Sequence, residues 1–298
     1  MHRALLSWCV SLVAILWSAC ATASAEINTL ERIKETGMLR VGYGDTAPFS
    51  YQDGEGNVLG YSIEICQRLT AQLQRQLNLP SLDITYVYRT PSNRVQLLNS
   101  GDIDIECNAS TNNAERRRSA DFTLSHFFVS VRYVALQENG FKTLQDLAGR
   151  SVSVARGTVN VGQINQANRE QRLNLLIVPA DTLQEAFDLV TEGRVAAFAM
   201  DDILLSTMVA ESDDPTAYVL SEEAITPMEP LGFMVRRNDT EFADVVNSAL
   251  RQIYSSTDMQ AIYERWFLQP LPDRGITLNV PMSDVLAQHF MVPEAIAP

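Results

Sequence analysis

The chain is poor in the side chains that most metal and nucleophile chemistry needs. Of its 298 residues only three are histidine and four cysteine. His2 lies in the leader described below, which leaves His126 and His289, with no ligand spacing around either. No metal or cofactor is expected. The glycine and lysine pattern of a phosphate loop is missing, as are a Gly-x-Ser-x-Gly elbow and a histidine-based triad. Positive charge is also scarce: 23 basic residues face 36 acidic ones, for a net charge of −13. Such a balance repels nucleic acid and anionic membrane surfaces and favours solubility. It leaves room for a local positive site. After residue 25 no run is long and apolar enough to span a bilayer.

Residues 1–25 read as a signal peptide. Arg3 gives a weakly basic start, residues 4–17 are an apolar run, and Ala23-Ser24-Ala25 suits a signal peptidase, with cleavage before Glu26. Lipid attachment at Cys20 is disfavoured by the bulky Trp17 before it. The remaining chain carries 22 basic and 36 acidic residues, enough core-forming sequence for about two domains. Of the four cysteines, Cys9 and Cys20 belong to the leader. Cys66 falls on a helix and Cys107 ends a strand, so the expectation is two buried free thiols, although exported proteins often pair such residues.

Helix and strand patterns alternate along the chain. Tyr61, Ile65, Leu69, Leu73 and Leu77 recur every fourth residue, and Phe242, Val246, Leu250 and Ile253 follow a similar spacing. Short apolar or β-branched runs at 39–42, 103–107, 152–155, 175–178, 195–200 and 231–235 read as strands. The alternation implies an α/β chain with parallel sheets covered by helices. A loose internal repeat suggests two lobes. Thr29-Leu30 and Thr143-Leu144 each open a helix leading to a strand, and the segments ending at Gly101 and Gly193 each precede another. Ligands of open α/β sheets bind beyond the carboxyl ends of strands. That rule points to residues 43–51, 108–116, 156–160 and 200–202.

These segments hold the candidate residues. Arg116 offers a planar fork suited to a carboxylate, with Ser110 and Thr111 as hydroxyl donors; the alternative is a solvated basic stretch, Arg116-Arg117-Arg118. Asp201 and Asp202 suit an ammonium group or a helix N-cap, one role for each being possible. Arg156-Gly157-Thr158 opens a helix whose free amides attract anions. Arg94 stands at a helix start, where the dipole disfavours it unless an anion is near; otherwise it is an exposed arginine. Asp53-Gly54-Glu55-Gly56-Asn57 spaces oxygen side chains like a calcium loop but has Val58 at the sixth position, so a glycine-rich hairpin explains it better.

Several motifs in order then carry a resemblance. Leu39-Arg40-Val41-Gly42-Tyr43, Pro48-Phe49-Ser50-Tyr51, Gly60-Tyr61-Ser62, Glu115-Arg116, Asp121-Phe122-Thr123, Gly157-Thr158 and Asp201-Asp202 are similar to the solute-binding proteins of polar amino-acid ABC transporters. Ser92-Asn93-Arg94, Cys107, Ser110-Thr111-Asn112-Asn113 and Met200-Asp201-Asp202 resemble the glutamate/aspartate-binding members most. The likeness covers nearly all of residues 27–290.

What the resemblance implies is a two-lobed periplasmic binding protein of type II, each lobe a mainly parallel sheet flanked by helices, joined by two hinge strands. Lobe I would hold 26–133 and 234–298, and lobe II 134–233. The protein would be a monomeric periplasmic protein that binds an amino acid between the lobes and delivers it to membrane permease subunits. Arg116, Thr111 and the Thr158 amide would hold the α-carboxylate, and Asp201 the α-ammonium. Arg94, beside Ser110, would face a side-chain carboxylate, and Phe49 would line the ligand. Two departures stand out. The loop 43–47 lacks an arginine that acidic-amino-acid binders carry, and a site histidine is replaced near Leu183. Arg156 is expected to restore the missing charge together with Arg94. The rival readings are a neutral polar ligand such as glutamine or asparagine, or a secreted prephenate or arogenate dehydratase of the same fold.

Overall fold

A computed structural model describes residues 28–294. The signal-peptide segment lies outside the described residues.

In chain order the first lobe begins with α1 (Thr29–Thr36), β1 (Met38–Tyr43), the hairpin β2 (Tyr51–Gln52) and β3 (Val58–Leu59), α2 (Tyr61–Gln76), β4 (Asp83–Tyr88), α3 (Arg94–Ser100), β5 (Ile105–Glu106) and β6 (Ala120–Val129). The second is built from β7 (Val131–Leu136), β8 (Ser151–Ala155), α4 (Asn160–Glu170), β9 (Leu176–Ala180), α5 (Leu183–Thr191), β10 (Ala197–Asp201), α6 (Asp202–Glu211) and β11 (Tyr218–Leu220). The chain then returns to the first lobe through β12 (Glu229–Arg236), α7 (Thr240–Tyr254), α8 (Thr257–Phe267) and α9 (Asp284–Met291).

Each lobe has a five-stranded sheet, ordered β4-β1-β5-β12-β6 in the first and β11-β7-β10-β8-β9 in the second. In both, three strands run parallel: β4, β1 and β5 in one, and β10, β8 and β9 in the other. The remaining pairings are antiparallel and involve the strands that flank the two crossings. Only Ser130 separates β6 from β7, so the chain changes sheets there in an almost continuous run. It changes back between Leu220 and Glu229. The expected boundaries at 133/134 and 233/234 therefore fall inside β7 and β12. An extended strand pair has no turn signal at its crossing, so sequence alone blurs the position.

The expected helices form because their apolar stripes meet a sheet. In α2, Tyr61, Ile65, Leu69 and Leu73 are all buried, and so is Cys66 on the same face. In α7 the buried stripe is Phe242, Val246, Ala249, Leu250 and Ile253. Gly37 and Gly101 end α1 and α3 in the left-handed conformation that a side chain would resist. One predicted helix is absent: after Thr143 there is a single 3-10 turn, Leu144–Leu147, closed by a capping box between Thr143 and Asp146. Gly149 follows and stops it.

One cysteine expectation is corrected. Cys66 and Cys107 form a disulfide, with Cα atoms 6.4 Å apart. Helix α2 packs across the lobe I sheet and brings Cys66 over the end of β5, inside the distance a disulfide spans. Both residues are buried as expected, but they are not free thiols.

Candidate interlobe binding site

The carboxyl ends of β1, β5, β8 and β10 converge where the lobes meet. A narrow cleft there is lined by Arg89, Arg94, Thr111 and Arg116 from the first lobe and by Thr158, Asn160 and Asp201 from the second. Thr46, Pro91, Ala109, Leu183, Met200 and Leu204 complete its wall.

Arg94 opens α3 as expected, but it is buried rather than exposed. Its Nη1 donates to Ser110 Oγ at 3.1 Å, and its Nη2 donates across the lobe boundary to the Gly157 carbonyl at 2.9 Å. Ser110 therefore acts by holding Arg94. Gly157 contributes its carbonyl and a backbone with φ +74° that packs directly on Pro91 and Ser92. Arg116 sits in a short turn after β5, where its Nη1 donates to the Thr111 carbonyl at 3.2 Å. Of the three arginines in that run, it alone lines the cleft.

Burial pushes the Arg94 guanidinium well below its usual range, and the neighbouring Arg116 adds to the effect. Arg116 is lowered to about 10, first by burial, against the attraction of Glu106 and Asp201. A guanidinium does not lose its proton in practice. The cost of burying these charges is instead a demand for an anionic partner.

Asp201 ends β10 with its side chain buried in the cleft, where Asn160 Nδ2 donates to it at 3.1 Å. Burial raises its pKa to about 6, against the lowering effects of Asn160 and Arg116. The next residue faces elsewhere. Asp202 begins α6, accepts from the Ile203 amide at 2.8 Å, and lines a separate groove with Phe128, Arg132 and Leu286. The two aspartates thus part ways: Asp201 lies in the cleft at the N-cap position without a side-chain capping bond, and Asp202 is the first residue of the helix. Asp202 is withdrawn as a ligand contact.

Two further expectations fail. Arg156 points outward: its side chain is about half exposed and its Nε pairs with the exposed Asp181 at 2.8 Å. It lines no part of the cleft, because β8 ends at Ala155 and the chain turns at Arg156-Gly157 before α4. Phe49 is wholly buried among Tyr61, His126, Phe127 and Phe267 and belongs to the lobe I core.

Sequence reasoning passed over Arg89 and Asn160. Arg89 follows β4, a strand whose partly buried residues gave no clear alternation. Asn160 reads as an ordinary first-turn residue of α4. Both are buried polar residues at strand or helix ends, a position that would have marked them had β4 been recognised.

The lobes touch around this cleft. Besides Arg94 and Gly157, Gln163 donates to Glu229, and Arg274 pairs with Glu211 at 3.4 Å. Among the described residues no group of three or more potential metal ligands occurs, and no helix is long and apolar enough to cross a membrane.

The model of the bacterial extracellular solute-binding proteins, family 3, matches residues 39–269. The chain belongs to this family. As a family 3 solute-binding protein it is 35% identical over 287 residues to an L-glutamate/L-aspartate-binding protein of Pseudomonas aeruginosa, covering 95% of this chain and 94% of that one. It is 30% identical over 285 residues to a glutamate/aspartate import solute-binding protein of Escherichia coli, again covering 95% and 94%. Among solved structures, the ancestral amino-acid-binding protein AncCDT-1, described as a precursor of cyclohexadienyl dehydratase, superposes with a TM-score of 0.67 at 27% identity, covering 80% of this chain and 99% of that one. The type II two-lobed fold follows from these likenesses and from the sheet topology. Both named relatives from living bacteria are binding proteins rather than enzymes. In this solute-binding protein the cleft lies between the lobes at the strand ends.

Proposed function

We propose that this protein binds an acidic L-amino acid, glutamate or aspartate, in the interlobe cleft and delivers it to the permease of an amino-acid ABC transporter. One observation carries the reading: three arginines, Arg89 and Arg94 buried and Arg116 partly buried, converge on a cleft that holds a single lining carboxylate, Asp201. Among the described residues Glu106, behind Arg89, is the other buried carboxylate that acts on the trio; Glu229, which also attracts Arg116, is only half-buried. Three guanidiniums against two carboxylates leave one positive charge. An amino acid with a charged side-chain carboxylate carries one net negative charge and cancels it. A neutral amino acid leaves it unpaired in a buried site, which is costly. The names of the two relatives support the same ligand class.

In this reading Arg116 takes the α-carboxylate in a two-point contact, with Thr111 and the Thr158 amide beside it. Asp201 takes the α-ammonium, and Arg94 faces the side chain. Ligand bridging groups from both lobes favours the closed arrangement. The protein works in the periplasm as a monomer after residues 1–25 are removed.

Titration calorimetry of the mature protein with glutamate, aspartate, glutamine and asparagine tests the ligand class. The acids are expected to bind at least tenfold more tightly than their amides. Tighter binding of the amides would end the acidic reading. Loss of amino-acid uptake on deleting the gene, with restoration by the intact gene, tests the transport role.

A further inference from the structure

The loop 43–47 lacks the arginine expected of an acidic-amino-acid binder, and Arg156 does not replace it. Another arginine, Arg89, lies against that loop. Strand β4 pairs with β1 in parallel, so that Tyr88 lies opposite Tyr43. The chain runs on in register, and the Arg89 amide donates to the Tyr43 carbonyl at 2.8 Å. Arg89 therefore lies against Gly44, within the shortened loop's own backbone. A Cβ at Gly44 would stand 2.9 Å from the Arg89 carbonyl oxygen and 3.1 Å from Arg89 Nη1. A side chain there would press on the Arg89 backbone and shift the guanidinium by a few tenths of an ångström.

That guanidinium is nearly fully buried. Nη2 meets the Glu106 carboxylate at 2.6 Å, and Glu106 is itself inaccessible to solvent. The pair is incompletely satisfied: Arg89 Nε and both Glu106 oxygens lack a hydrogen bond of good geometry, Oε1 meeting Arg89 only as an ion pair. A pair buried only for stability would be expected to close these bonds, because each open one costs free energy. Arg89 also stands at a junction. It lines the narrow cleft with Arg94, Arg116 and Asp201, and it lines a wider cavity of about 230 Å³ bounded by Tyr88, Leu183 and Glu211. An amino acid fixed at Arg116 and Asp201 has this junction as the outlet for its side chain.

We propose that Arg89 is a side-chain carboxylate contact of the ligand, shared with Arg94, and that Glu106 holds it in the cleft floor. The proposal rests on the acidic reading above. It places the specificity-determining charge just after β4, the strand that neighbours the loop where the family resemblance would put it.

Removing Arg89 alone would strand the buried Glu106 charge, so the test uses the paired variant Arg89→Leu with Glu106→Gln, which removes both charges together. Arg89→Lys keeps the charge but not the fork and serves as the second variant. Calorimetry with glutamate and glutamine gives the ratio of their affinities for each protein. The expected result is a ratio lower by at least tenfold in the paired variant and by about threefold or more in Arg89→Lys. A wild-type ratio retained within twofold in either variant overturns the assignment while leaving the acidic reading intact. A wild-type protein with no preference for glutamate would instead remove the reading on which it rests.

Discussion

Replacing Asp201 by asparagine should make the unliganded protein more stable and the binding protein worse. Burial raises the Asp201 pKa from 3.8 to about 6 in the folded protein. A folded pKa above the unfolded one means that folding favours the protonated form. The contribution of Asp201 to stability is then greatest below pH 3.8 and is lost as pH rises through 6. At pH 7 the ionised group costs the empty protein about 3 kcal/mol, at about 1.4 kcal/mol for each tenfold change in proton affinity. That figure already contains the attraction of Arg116 and the Asn160 hydrogen bond. Asparagine keeps the size, can still meet Asn160, and removes the charge. Scanning calorimetry of Asp201→Asn without ligand should show a melting temperature higher by about 5 °C at pH 7, with the gain shrinking toward pH 4. Binding runs the other way. The ligand ammonium needs the carboxylate, whose ionised fraction falls from about 0.9 at pH 7 to about 0.1 at pH 5. Wild-type affinity should therefore fall about tenfold between those pH values, while an acidic ligand, with a side-chain pKa near about 4.3, stays mostly ionised. In Asp201→Asn the affinity should be weak at both. A variant that melts at or below the wild type at pH 7, or a wild-type affinity equal at pH 5 and pH 7, would refute the reasoning.

Arg116→Ala removes one side of a buried charge pair with the ligand and should weaken binding at least about a hundredfold by calorimetry; a change of only a few-fold would place the α-carboxylate elsewhere. Gly157→Ala would set a Cβ 2.7 Å from the backbone of Pro91 and Ser92, which cannot yield as a side chain can. Its affinity should fall at least tenfold, and ligand should not produce the reduction in radius of gyration in X-ray scattering that is expected for the wild type. Cys66 and Cys107 close a loop with a sequence separation of 41, so the double alanine variant should lose about 3–4 kcal/mol in urea unfolding; unchanged stability would show that the link does not restrain the unfolded chain.

Much of the architecture was written in local pattern. The fourfold spacing of Tyr61, Ile65, Leu69 and Leu73 determined α2, and the runs at 39–42, 152–155 and 231–235 determined central strands, because one-sided burial imposes those periods. Strand ends followed by Arg116, Thr158 and Asp201 were enough to mark where the interlobe cleft lies, since that rule depends only on the order of elements. Side-chain direction and distance were another matter. Asp201 and Asp202 are adjacent and chemically alike, yet one enters the cleft and the other opens a helix facing another groove, since the strand ends between them. Arg156 and Arg89 exchanged places for the same kind of reason. The turn after β8 throws Arg156 out to Asp181, while the parallel register of β4 on β1 carries Arg89 in against Gly44. Phe49 looked like a cleft aromatic and is core, because its ring meets Tyr61, Phe127 and Phe267 from distant segments. The disulfide belongs with these. Whether two cysteines 41 residues apart bond depends on how α2 lies across the sheet, and only the packing of helix on sheet decides that distance.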